Sequence, residues 1–236
     1  MSDTDDAEDT GGADPGGTGG SGTGGAERAG TAAELFDGIG AAYEEAFAGL
    51  PGQLEALEWM TARLAPGARV LDVGSGTGRP VAEVLVRAGC EVTGIDVSST
   101  MVDLARSQVP GARFEQCDVR EFAPPAGSFD AVCAFFPLLL MSRADIDAAL
   151  AAFASWLAPG GLFVMATVPA DVEDQEVEWM GRRVSVSSYS TEEYLRRLAA
   201  NGLEVLHSST STFVPESAVA GPEDHLFCYA RRPEAG

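Results

Sequence analysis

Asp72, Asp96 and Asp118 each close a strand-like segment, and the first of these runs into a turn with glycine at positions 74, 76 and 78. A glycine-dense turn after a strand brings bare backbone N–H groups against a ligand, and it lacks the Cβ atoms that would hold that ligand away. The two common phosphate cradles are incomplete here. A dinucleotide fingerprint places its third glycine five positions after the first, where this chain has Arg79, and a P-loop ends in Gly-Lys-Ser/Thr, where this chain continues Gly78-Arg79-Pro80. Asp96 follows the glycine turn by about twenty residues, the spacing at which a carboxylate accepts hydrogen bonds from a ribose diol. A single Asp after a strand is usually a turn former or helix cap, and Asp130 is read that way. Three acids in register differ, because the carboxyl ends of parallel strands open on one side and bring them together.

The elements that must position these acids alternate. Residues 70–73, 91–95, 112–117 and 129–135 read as strands. Pro80, suited to a first helical turn, opens a helix to about Ala88, a second starts after Ser98, and Ser142 with Asp145 makes an S-x-x-D start for a third that reaches Trp156. This alternation from 70 to 165 predicts an α/β fold. Two helical patterns precede it, about 31–48 and 52–64, with Phe36, Tyr43 and Phe47 on one face of the first. Leu157 to Phe163 reads as the turn into a fifth strand. Residues 176–189 then read as a hairpin turning near Gly181, followed by a capping box at Ser190–Glu193, a helix ended by Gly202, and strands at about 204–214 and 226–231.

Asp72-x-Gly74-x-Gly76-x-Gly78, with Asp96 and Asp118-Val119 at the next two strand ends, resembles the class I S-adenosylmethionine-dependent methyltransferases over roughly residues 35–232. The resemblance implies a doubly wound, seven-stranded, mostly parallel Rossmann-like sheet, to which this chain adds N-terminal helices and, departing from the minimal fold, a β-hairpin inserted after strand five. It implies one domain, 31–236: lid helices at 31–66, a cofactor-binding core at 67–168, and the hairpin, last helix and strands six and seven at 169–236. The implied cofactor is S-adenosylmethionine, with no metal. Asp72, Gly74, Ser75, Gly76 and Gly78 would form its cradle, Asp96 and Val97 its ribose contacts, and Met101 its adenine cover. Asp118 would accept from the adenine amino group and the Val119 N–H would donate to a ring nitrogen, with Phe135 at the end of strand four and Tyr43 closing from the leading helix.

Methyl transfer from a sulfonium is a direct displacement, so holding donor and acceptor in line in a dry site contributes most. A base helps a phenol and is needless for a carboxylate. The chain has two histidines. His207 reads as structural, whereas His225 is the candidate catalytic base, because the start of an antiparallel seventh strand returns to the carboxyl end of the sheet. The Asn/Asp-Pro-Pro-Tyr/Phe signature of amide and base-amine methylation is replaced by Phe135-Phe136-Pro137-Leu138-Leu139-Leu140. Phe136, Leu140, Trp179 and Tyr189 are the expected substrate walls, suited to an apolar small molecule, with at least two of Leu138–Leu140 packed beneath the helix. The methylated atom, O, N, S or C, stays open. So do two alternatives: a cofactor-bound enzyme of rearrangement or elimination, and a non-catalytic cofactor-binding partner.

The 236 residues suffice for one domain with a proper core. Met1 to Gly30 is rich in Gly, Asp, Thr, Ala and Ser and has no aromatic residue, which predicts a disordered acidic tail. The net charge of −21 disfavours a nucleic-acid acceptor. The segment lacks the pattern of a signal peptide, and no stretch is long and apolar enough to span a bilayer. Cys90, Cys117, Cys133 and Cys228 are spaced as buried reduced thiols, so the expectation is a cytoplasmic protein, monomer or homodimer, with no membrane partner.

Overall fold

The computed structural model describes residues 31–40, 42, 44, 49–214 and 222–234; the tail at 1–30, Tyr43 and Phe47 lie outside them. Among the described residues two short helices come first, α1 (Ala32–Ile39) and α2 (Pro51–Thr61). The core alternates as β1 (Arg69–Val73), α3 (Val81–Arg87), β2 (Glu91–Asp96), α4 (Ser99–Gln108), β3 (Arg113–Gln116), β4 (Phe129–Phe135), α5 (Arg143–Trp156) and β5 (Leu157–Thr167). A hairpin follows, β6 (Gln175–Trp179) and β7 (Arg182–Val186), then α6 (Thr191–Ala200), β8 (Glu204–Phe213) and β9 (Glu223–Arg231).

The main sheet has seven strands in the order β3-β2-β1-β4-β5-β9-β8. β1 through β5 are parallel and β9 runs antiparallel to both β5 and β8. The order reverses between β1 and β4, and at such a switch point the connections leave on opposite faces and open a crevice at the strands' carboxyl ends. Each face carries an apolar layer. Ile146, Leu150 and Phe153 of α5 and Tyr194 and Leu198 of α6 cover one; Leu57 and Met60 of α2, Leu85 of α3 and Val102 and Ala105 of α4 cover the other. Full burial of such side chains contributes about 1.5 to 3 kcal/mol each.

The local start signals act as their chemistry predicts. Ser98, Ser142 and Ser190 cap α4, α5 and α6, each hydroxyl accepting the N–H three residues on at 3.1, 3.1 and 3.3 Å. Gly181, at φ +71, follows Met180, at φ +49, so two left-handed residues make the tight turn between β6 and β7.

Several expectations need correcting. β5 begins at Leu157, directly after α5, so the expected turn is already strand. β9 begins at Glu223, three residues earlier than expected, which brings His225 inside the strand. Asp130 lies within β4 and is no turn former: it accepts hydrogen bonds from Arg69 N, Nε and Nη2 at 2.9, 3.1 and 2.9 Å, tying β4 to β1. Among the described residues no helix is long and apolar enough to cross a membrane.

Candidate active site

The glycine loop leaves β1 at the switch point. Gly74 and Ser75 donate their N–H groups to the Ile95 carbonyl at 2.8 and 3.0 Å, pinning the loop to β2. Gly74 and Gly76 hold φ of +68 and +51, which L side chains rarely adopt. A Cβ on Gly74 would stand 2.6 Å from Cβ of Pro137, whereas one on Gly76 would point into open space. Gly76 is therefore the position where the backbone faces outward. Gly78 differs: a Cβ there would press on Phe114, Val109 and Ala105, so this glycine allows α4 and β3 to close on the loop.

Asp96 crosses beneath the loop. Its Oδ2 accepts Gly76 N–H at 2.8 Å and its Oδ1 accepts Ser98 N–H at 2.9 Å. Burial raises its pKa against these hydrogen bonds. A carboxylate offers about four lone-pair sites, so two remain beyond these bonds. Asp72, 1 % exposed, is pushed up to a pKa of about 7, first by burial. The buried Cys133 thiol, itself raised by burial, lies 3.6 Å from its Oδ1. Two buried polar atoms of this cradle, Asp72 Oδ2 and Ser75 Oγ, have no hydrogen-bond partner among the described residues.

Other expected contacts are arranged differently. Asp118 is bound by its own neighbour, Oδ1 accepting Arg120 N and Nε at 2.9 and 3.0 Å and Oδ2 accepting Nη2, and these bonds lower its pKa. One lone-pair site of the carboxylate is left beyond these bonds. Met101 is 1 % exposed, Phe135 belongs to the apolar layer, and Val119 packs against the opposite one. Val97 is half-buried and its carbonyl accepts Gln116 Nε2 at 3.2 Å.

The expected acceptor walls divide. Phe136, held at φ +63 just past β4, stands with its ring centroid 4.6 Å from that of His225. His225 is 2 % exposed, stacks on Phe213 at 5.3 Å, and has Nε2 2.8 Å from Glu223 Oε1. Trp179 of the hairpin meets Phe36 of α1 edge-on at 6.2 Å, and Leu140 is half-buried. Tyr189 is a correction. Arg197 covers its ring at 3.6 Å and Arg143 at 4.6 Å, Tyr194 meets its edge, and its hydroxyl donates to the Arg143 carbonyl, so it packs inside the molecule.

Residue types alone did not single out Asp37, Arg120 or Glu223. Asp37 of α1 accepts Ser98 Oγ–H at 2.6 Å and Thr100 N–H at 3.1 Å, which lowers its pKa and ties α1 to the start of α4. Arg182 of β7 lies over Gly38 of α1 so closely that a Cβ would be 2.6 Å from Nη2. α1 thus joins the cofactor-side helix to the hairpin. Among the described residues no cluster of three His, Cys, Asp or Glu side chains could hold a metal.

Comparison with known proteins agrees with this architecture. Residues 70–161 match the family model of a methyltransferase domain. The ubiquinone biosynthesis O-methyltransferase of Xanthomonas axonopodis pv. citri (strain 306) is 41 % identical over 118 residues, 48 % of each chain. The trans-aconitate 2-methyltransferase of Paracidovorax citrulli (strain AAC00-1) is 32 % identical over 109 residues, 43 % of this chain and 39 % of its own. The chain spans about half the length, or less, of these relatives. The 1,6-didemethyltoxoflavin-N1-methyltransferase of Burkholderia thailandensis, solved with S-adenosylhomocysteine, superposes with TM-score 0.65 at 22 % identity, covering 85 % of this chain and 87 % of its own. SpnF, a 4+2 cyclase, superposes at 0.61 with 24 % identity, covering 77 % and 81 %. At these identities the structural likeness is one of fold, and a fold shared with a cyclase does not by itself fix the reaction. The sequence match over residues 70–161 and the superposition of the sheet together say what this chain is similar to: a class I S-adenosylmethionine-dependent methyltransferase domain.

Proposed function

We propose that this chain binds S-adenosylmethionine across the glycine loop and transfers its methyl group to a small-molecule acceptor. The carrying observation is the pair of buried, unpartnered polar atoms, Asp72 Oδ2 and Ser75 Oγ, beneath a loop whose Gly76 faces open space. An unmet buried acceptor costs about 1 to 3 kcal/mol, and a cationic, hydrogen-bonding ligand over the loop would offset that. In this reading Asp96 takes the ribose diol on its two free lone-pair sites, Gly76 lets the ligand approach the backbone, and Asp118 keeps one site for the adenine amino group. When bound, the sulfonium supplies an electrophilic methyl. The chain's own contribution is placement and exclusion of water.

Phe136, Trp179 and Leu140 form the apolar side of the acceptor site, and His225 is its candidate base. Because His225 is 2 % exposed, an acceptor reaches the ring by displacing Phe136 or Phe213. If Nε2–H is donated to Glu223, Nδ1 is the basic nitrogen. Proton removal then serves a hydroxyl acceptor, while placement serves any. The net charge of −21 supports a small molecule over nucleic acid, and four free cysteines support a cytoplasmic location. The division into lid helices at 31–66, core at 67–168 and a remainder at 169–236 belongs to the same reading.

Calorimetric titration with S-adenosylhomocysteine tests it. Asp96→Ala should weaken binding by on the order of a hundredfold, since charge-assisted hydrogen bonds contribute about 1.5 to 3 kcal/mol each. Equal affinities in two folded proteins would remove Asp96 from the ribose site. Acceptor-dependent formation of S-adenosylhomocysteine separates transfer from a rearrangement or from mere cofactor binding.

A further inference from the structure

The two edges of the main sheet are built differently. β3 has four residues and carries Arg113 and Glu115, whereas β8 has ten. From Val205 to Phe213 the chain has no Asp, Glu, Lys, Arg or Pro. Natural sheets protect long edges with those residues, because an open edge presents a row of unpaired N–H and C=O groups. Among the described residues no strand pairs with the outer edge of β8. In a protein of charge −21 this strip contributes no charge of its own, and the Asp224 carboxylate behind it on β9 is taken up by the Thr212 hydroxyl at 2.6 Å.

The side chains of β8 have a symmetry of their own. Its register with β9 puts His207, Ser209, Ser211 and Phe213 opposite Tyr229, Phe227, His225 and Glu223, and Ser208, Thr210 and Thr212 opposite Cys228, Leu226 and Asp224. Opposed residues of an antiparallel pair share a face. Two copies related by a twofold axis meet that condition only when the axis passes through a residue. Large exposed hydrophobics in the described part are Leu54, Leu206 and Val214, at 43, 41 and 65 %. Leu206, at the irregularity between Val205 and His207, and Val214 stand four positions either side of Thr210.

We propose that β8 is a homodimer interface, in which two copies of this chain pair edge to edge and antiparallel about a twofold axis at Thr210. That register sets Leu206 of each copy beside Val214 of the other, Ser208 opposite Thr212, Ser209 opposite Ser211, and Thr210 opposite its own symmetry mate. Apolar and Ser/Thr cross-strand pairs each contribute about 0.2 to 1 kcal/mol. An isologous contact of this kind closes at two copies. It is independent of the reaction proposed above.

Sedimentation equilibrium of the full chain tests the interface. A strand-edge contact lies at the small end of interface sizes, so the dimer should form at up to about 100 µM and dissociate on dilution. Thr210→Lys places two ammonium groups opposite each other and should weaken the dimer by at least about tenfold, while Thr210→Val retains it; unchanged circular dichroism shows that both fold. Oxidation then tests the register against the wild-type background. Thr210→Cys should form a cross-linked dimer on a non-reducing gel, and Ser208→Cys, which faces Thr212, should not. A wild type that stays monomeric to about 100 µM, a Thr210→Lys dimer of unchanged affinity, or equal cross-linking by both cysteine variants would overturn the proposal.

Discussion

Asp72 is buried and lies near the Asp96 carboxylate, and these two effects outweigh the hydrogen bond from the Cys133 thiol, so its proton is held far more tightly than an ordinary carboxyl's. Its native pKa of about 7 exceeds the ordinary 3.8, so the folded state binds more protons than the unfolded state between those values. Stability from this site is therefore full below about pH 4 and is lost as pH rises through about 7. Asp72→Asn removes the titration. In the absence of ligand the variant should melt about 2 to 4 °C above wild type at pH 8, the shift expected for roughly 1 kcal/mol in a chain of this size, and the gap should narrow toward pH 5. A constant gap across that range would show that Asp72 does not titrate there. His225 and Glu223 are separable by kinetics. If the pair removes a proton, His225→Ala should lower turnover of a hydroxyl acceptor by about a hundredfold with donor affinity unchanged. Glu223→Gln should lower turnover less, since the amide oxygen can still accept Nε2–H. Normal turnover in both variants would leave His225 as packing between Phe136 and Phe213.

At the scale of elements, α1 gains its place through contacts at both ends of the site. Asp37 holds the start of α4, and Arg182 and Trp179 of the hairpin lie against Gly38 and Phe36. Isolated helices of this length are marginal in water, so the contacts decide whether it stays docked. Asp37→Ala removes two hydrogen bonds at the α4 start, an interaction class worth about 0.5 to 2 kcal/mol. Limited proteolysis should then cut α1 faster than in wild type, with the global melting temperature little changed. Equal cutting rates would mean that α1 is held elsewhere. Within the sheet, Gly94 of β2 is the tighter constraint: a Cβ would lie 2.6 Å from the Phe114 ring and 2.8 Å from Ser75 Cβ. Gly94→Ala should destabilise the fold by about 1 to 3 kcal/mol through overpacking, measured by denaturant unfolding, and should loosen the glycine loop that Ser75 belongs to.

For the whole molecule, the fold leaves a large negative charge unneutralised. The chain carries 36 acidic and 15 basic residues. Its surface pairs, such as Arg87 with Glu83 and Arg106 with Asp103, are exposed contacts of the kind that contribute little. Self-repulsion at −21 should therefore exceed what those pairs add, and screening should favour the compact state. Raising sodium chloride from about 0.02 to 0.3 M shortens the Debye length well below 10 Å, and the melting temperature should rise. A fall would show that local ion pairs outweigh the net charge.

Much of this architecture was legible in the sequence, because strand ends, caps and the glycine turn are local. Ser98, Ser142 and Ser190 cap their helices through groups three residues away, and the limits of β4 and the turn at Gly181 follow from their own residues. The convergence of Asp72 and Asp96 needed only the rule that parallel strands open at one end. What the sequence could not decide depended on partners distant in the chain. Asp130 looked like a turn residue until Arg69, 61 positions away, met it across the sheet. Tyr189 looked like a pocket wall until α5 and α6 brought Arg143 and Arg197 onto its ring. Glu223 became a partner of His225 when β9 began early enough to hold both. A side chain's chemical capacity is written in its type, but its role is set by which distant groups share its space, and only the packed sheet and its helices bring those groups together.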